Sequence, residues 1–370
     1  MVLRNLGLAA HDVDGDPEAA RRWYDAALAA DPASARLVYE SDLLDVRRGR
    51  PLAQRLEALE AAGALATDRD DTAVALAHLL LSQGRLDDAH ELLAQRRFQP
   101  WEGGEGEVLA AWERLRLLQA QRALDGNADG AVDGEPGAAA GRTALEAVES
   151  ALQPPVGLGE ARHPLASTAA LQLARGDALA LLGDEAAARA AWEEAAASSG
   201  DFTAMATEAH SEATASRVTA LRRLGRTGEA DALTDALERF VAQLAAAPAV
   251  VDYFATSLPS LLLFSVDPEV EKARRVELLR AQVELLRGDD DAAALRLRHL
   301  LEQHPDHHRA VDLAARPHLG LDHRSGPAVV APTRPTTGLL PPPPTHPSPA
   351  PAGERSTPFL VDDDASEMTR

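Results

Sequence analysis

The sequence predicts an all-α fold made of tandem helix pairs, and three observations carry that expectation. Ala and Leu dominate a chain of 370 residues in which 45% are hydrophobic and only 4% aromatic. Small, helix-favouring side chains let helices approach closely, so the composition suits helix-on-helix packing better than a β core. Turns that begin with Gly and a polar residue recur along the chain, each followed by an Ala-rich amphipathic run. Within those runs the apolar residues fall at i, i+3 and i+4, the spacing of one buried helical stripe.

The turns start at Gly15, Gly49, Gly84, Gly141, Gly183, Gly225 and Gly288, with spacings of 34, 35, 57, 42, 42 and 63 residues. The first two spacings match the tetratricopeptide period, and the two 42s read as the same unit with longer helices or loops. Each Gly ends a helix A, and the polar residue after it opens a helix B. Helix B of the first unit reads Ala20, Tyr24, Ala27, Leu28 and stops at Asp31-Pro32; the third has Ala89, Leu92 and Leu93; the fifth has Ala188, Ala191, Trp192 and Ala195; the last has Ala293, Leu297, Leu300 and Leu301 before His304-Pro305. Core packing is the ordinary use of such a stripe. The long spacing of 57 marks a flexible insertion at 126–140, and the spacing of 63 leaves room for an odd helix near 252–264. Val2, Leu3, Leu6 and Leu8 read as helix A of the first unit, an apolar face with no polar cap before it. The expectation is a tetratricopeptide-like, right-handed α-solenoid of about seven helix pairs over 1–324. A disordered Pro-rich tail over 325–370 follows, because proline at the density of Pro341–Pro344 cannot sit in helices.

Four stretches break the repeat: RRFQPWEGGEG (Arg96–Gly106), PPVGLGEARHPLAS (Pro154–Ser167), GDFTAM (Gly200–Met205) and PAVVDYFATSLP (Pro248–Pro259). All follow a helix B and precede the next helix A, so a solenoid would line them along a single edge. Trp101, Glu102, Glu105, Arg162, His163, Asp201, Phe202 and Tyr253 are the candidate ligand-binding residues there. Flat rings stack on the C–H faces of a small polar ligand such as a sugar, while acids and an Arg/His pair fix hydrogen bonds. The same residues can equally anchor long connections between repeats, and both readings stand at this point.

RRFQPWEGGEG, GLGEARHPLA, GDF and DYFATSLPSLLLF, in this order among tetratricopeptide helices, resemble the C-terminal helical region of a bacterial family of unknown function. In longer members of that family a β-rich, sugar-mutarotase-like part precedes the region. The resemblance spans about residues 1–315. It implies a link to carbohydrate metabolism and a separate β-rich, sugar-active subunit as a partner, but no catalytic residue to carry over. The β-rich part is missing here, and the 126–140 insertion and the Pro-rich tail depart from the pattern.

Other chemistry is thinly represented. A net charge of −21 repels nucleic-acid phosphates and acidic lipid surfaces. The chain has no cysteine, which excludes thiolate zinc sites and cysteine catalysis. No phosphate-cradling loop, Gly-x-Ser-x-Gly, His-Glu-x-x-His or dinucleotide fingerprint occurs. The segment Asp125–Gly130 resembles half of a calcium loop but places Pro136 where the closing bidentate Glu belongs. His299, His304, His307 and His308 cluster without a third ligand placed by helical spacing, and Glu102, Glu105 and Glu160 have no defined separation for acid/base work. The leading function is a non-catalytic scaffold for a protein partner, with no cofactor, no metal, no nucleic-acid or membrane partner, and a cytoplasmic location by default. The alternative is a carbohydrate-recognising or carbohydrate-processing module that uses the irregular edge to hold a small sugar.

Overall fold

A short grammar repeats at each helix junction. In Gly183 the backbone turns to φ 78°, a left-handed conformation that side chains with a Cβ resist, and it closes one helix. The carboxylate of Asp184 then accepts a hydrogen bond from the amide of Ala187 at 3.0 Å and opens the next helix. Asp16 and Asp289 cap the following helices in the same way, through the amides of Ala19 and Ala292. The computed structural model describes residues 1–99, 101, 103–126, 135–203, 206–249, 263–264 and 267–319, with 135, 136, 203 and 206 described in backbone only.

Sixteen α-helices are described. The first seven are α1 (Val2–Asp12), α2 (Pro17–Ala30), α3 (Ala35–Arg47), α4 (Leu52–Ala62), the short α5 (Ala64–Thr67), α6 (Asp70–Ser82) and α7 (Leu86–Gln95). Then come α8 (Glu107–Asp125), α9 (Glu135–Leu152), α10 (Ala169–Leu181), α11 (Glu185–Ala197), α12 (Thr214–Arg223) and α13 (Thr227–Ala246). The last are α14 (Pro268–Arg287), α15 (Asp290–Gln303) and α16 (His308–Ala314). Seven A–B pairs result: α1–α2, α3–α4, α6–α7, α8–α9, α10–α11, α12–α13 and α14–α15. Each B helix packs on the next A helix, and from α3 onward the A helices also touch one another. No two B helices share a comparable contact. The A layer therefore has the smaller radius and forms the inner face of the solenoid.

Two local expectations are corrected. Gly141 is not a turn between helices: it lies inside α9, where a Cβ would stand 2.9 Å from Leu182 Cγ and 3.1 Å from the Ala178 carbonyl. The glycine is there so that α9 can approach α10. The proposed insertion at 126–140 is too long for the same reason, because residues 135–140 are already the first turns of α9. The segment GDFTAM contributes to a two-stranded antiparallel hairpin, Asp201–Thr203 against Ala206–Glu208. Most of the calcium-like loop, the tail at 325–370 and most of the odd helix fall outside the described residues.

The apolar start of the chain is partly covered rather than open. Phe264 is fully buried against α1–α3, 5.8 Å between ring centroids from Tyr24 and 4.9 Å edge-on from His11. Val2 and Leu6 remain exposed. Beneath them, Glu40 of α3 is buried and accepts hydrogen bonds from Arg4 of α1 (2.6 and 2.7 Å), Tyr24 of α2 (2.9 Å) and Arg36 (2.7 Å). Burial by itself would raise this carboxyl, but its donors outweigh that and hold it below the usual carboxylate value. One carboxylate thus ties three helices.

Candidate functional site

Three of the four irregular stretches lie among the described residues and touch one another in turn, while 250–259 of the fourth fall outside them. The amide of Phe98 donates to the carbonyl of Gly157 at 2.9 Å. Glu160 spans to the start of α8, accepting from the amides of Gly106 (2.6 Å) and Leu109 (2.7 Å). The first turn of a helix presents unsatisfied N–H groups and partial positive charge. A carboxylate from the next connection fills that position, so the Gly-rich segment before α8 is a capped helix start.

Arg162 acts at the other polarity. Its guanidinium donates to the carbonyls of Ala151 (2.8 Å) and Leu152 (3.4 Å), the orphan acceptors at the end of α9, and to Glu113 of α8 (2.8 Å through Nε). Burial pushes the Glu113 carboxyl up, and the Arg162 charge opposes that shift. His163 stacks on Phe202 with centroids 3.9 Å apart and planes 17° from parallel, and its Nδ1 accepts from the amide of Leu165. Asp201 accepts from the Ser167 amide (2.8 Å) and the Ser211 hydroxyl (2.7 Å). Trp101 packs, half-buried, on the core around α6 and α8. Its ring lies so close over Gly104 that a Cβ there would be 1.8 Å from Cε2. Glu105 is exposed and accepts a hydrogen bond from the Gly103 amide. Glu102 and Tyr253 lie outside the described residues. Six of the eight candidates are thus among the described residues on the edge, and the hydrogen bonds of Glu105, Arg162, His163 and Asp201 go to nearby backbone groups, Glu113 and Ser211.

A second constellation, which residue spacing did not indicate, lies on the inner face. Arg114 of α8 is held by α6, donating to the Ser82 hydroxyl (2.9 Å) and the His78 carbonyl (3.1 Å), with His78 Nδ1 3.2 Å away. The same guanidinium makes a two-pronged pair with Asp312 of α16, both bonds 2.7 Å. His78 stacks on His308, centroids 4.7 Å apart and planes 15° from parallel. Arg309 reaches Glu212 at 3.3 Å, and its charge acts on Glu107 and Glu113. The histidine run around 304–308 was visible in sequence, but His78 and Arg114 look like ordinary helix residues 36 positions apart. Among the described residues no group of three or more His, Asp or Glu gathers as a metal site. His307 caps α16, while His308 turns to His78.

Repeated A–B pairs, glycine turns and an inner A layer define a tetratricopeptide-like α-solenoid. No family model matches the chain. Among solved structures it is similar to a tetratricopeptide repeat protein from Parabacteroides merdae ATCC 43184, at 13% identity and TM-score 0.40, over 85% of this chain and 96% of that one. It is also similar to the P58(IPK) TPR domain, at 20% identity and TM-score 0.25, over 80% of this chain and 81% of that one. Among the described residues no helix is long and apolar enough to cross a membrane.

Proposed function

We propose that the chain is a non-catalytic scaffold that holds a protein partner on its inner, A-helix face. The observation behind this reading is the way that face already holds a helix. It grips α16 through side-chain contacts, Arg114 to Asp312 and His78 to His308, presented by two neighbouring A helices. An arginine that meets a carboxylate at two points fixes the orientation as well as the position of what it holds. Along the edge, by contrast, Glu160, Arg162 and Asp201 are committed to helix ends and connections. A separate β-rich, sugar-active subunit is the partner that the family resemblance implies. A photo-reactive residue placed at exposed position 309, beside the inner face, or at exposed position 165, on the edge, separates the two surfaces. Covalent capture of one protein from position 309 and not from 165 is the expected result. Capture from 165 alone, or saturable quenching of Trp101 fluorescence by a sugar, would move the binding site to the edge.

A further inference from the structure

The last described α-helix, α16, has two unlike sides. Ala310, Leu313 and Ala314 are buried with Leu278, Ala281, Leu297 and Leu300 of α14 and α15, so its apolar side belongs to the last helix pair. His308, Arg309 and Asp312 lie on the other side, and this side meets the first half of the chain at α6 and α8. The contact of α16 with α6 and α8 is therefore polar, unlike the apolar joints between successive repeats and unlike the packing of Phe264 on α1–α3. A polar joint makes a good switch, because its strength depends on charge state while the repeats on either side keep their cores.

The charges at this joint are arranged in one sense. The two imidazoles lie face to face, and His78 Nε2 is buried with no hydrogen-bond partner. Arg114 stands beside His78 from α8; Arg309 and His307 stand beside His308 on its own segment. Asp312, one turn along the same face, is already engaged by Arg114. Asp306 just before the helix is held by Arg274 of α14 at 2.9 Å, with Arg47 of α3 within its field, and Glu212 is shared by Arg309 and Arg275. A proton on either ring would put a cation against a second ring and a guanidinium, with its usual water removed.

We propose that the His78–His308 stack and the Arg114–Asp312 pair form a clasp that holds α14–α16 against the inner face and lets go on mild acidification, uncovering that face for a partner. This rests on the inner face being the partner surface. Burial followed by Arg114 depresses His78 to about 3; burial and the adjoining His78 and Arg114 hold His308 well below its ordinary 6.5. A group depressed in the closed state binds more protons when open. Closure is thus fully stable above about pH 6.5 and is lost as the pH falls below it.

Hydrogen exchange on the full chain, corrected for intrinsic rates, tests the clasp without any partner, so its failure is separable from failure of the scaffold reading. The amides of residues 308–314 should lose at least about tenfold in protection between pH 7.5 and pH 5.5, a shift of RT ln 10 in opening, while α10 and α11 keep theirs. In His78→Gln/His308→Gln the same amides should lose clearly less protection, the remainder coming from His307, the cap of α16, which burial lowers to about 4. Asp312→Asn should loosen them already at pH 7.5. The clasp is overturned if α16 is equally protected at both pH values, if the double variant responds as the native chain does, if Asp312→Asn leaves α16 unchanged, or if all helices lose protection together.

Discussion

Replacing Glu40 by Ala is expected to lower the unfolding free energy by about 3–5 kcal/mol, the cost of removing one partner from a buried ion pair. The substitution leaves the Tyr24 hydroxyl without its acceptor and the Arg4 guanidinium without its carboxylate, with only the Asn5 side chain, 3.3 Å from one of its nitrogens, as a remaining side-chain partner. Tyr24 is fully buried and cannot turn to water, and Arg4 is mostly buried. Urea unfolding at pH 7, followed by circular dichroism, reads the change as a shift of midpoint. Acid should reproduce part of it in the native chain. Glu40 is held below its ordinary value of 4.5 when folded, so its contribution is present above that pH and disappears as the pH falls through the lowered value. A loss under about 1 kcal/mol would mean that the network is relaxed by water.

Arg162→Ala is expected to lower stability by about 2–4 kcal/mol, through two orphaned helix-end carbonyls and a desolvated Glu113 carboxylate. Arg162→Lys should recover only part of this loss, because a single ammonium cannot serve carbonyls and a carboxylate in the fork geometry of a guanidinium. Thermal melts of the three proteins give the order native, Lys, Ala. If both variants melt with the native protein, Arg162 is free to serve a ligand and the edge regains its claim to be a binding site.

The repeat itself was open to reading from residues. Gly15, Gly49, Gly84, Gly183, Gly225 and Gly288 all take the positive φ that their place in the repeat requires, and Ala20, Tyr24 and Ala27 are buried as their spacing foretold. Gly141 shows where this logic stops. A glycine also serves close helix approach, and sequence does not separate the two uses. The edge was legible as a place: Arg162, His163, Asp201 and Phe202 do come together with their neighbours. What each atom does there was not, because a carboxylate aimed at a ligand and one aimed at a helix start read alike. The return of α16 to α6 and α8 was the least accessible feature. It depends on curvature accumulated over several repeats, and no local spacing records that Asp312 will meet Arg114 across 198 residues.

That return is the centre of the account, and the absence of cysteine makes it directly measurable. In His78→Cys/His308→Cys the only two thiols replace the stacked rings. A short reagent that bridges two thiols should join them within one chain in high yield at pH 7.5, giving a product of altered gel mobility when unfolded. It should also raise the melting temperature, because it closes a loop of more than about 100 residues, worth up to roughly 4–5 kcal/mol. Two singly modified thiols with no bridge, in a protein that keeps its helical spectrum, would show that the C-terminal helix does not lie on the inner face and would contradict the account.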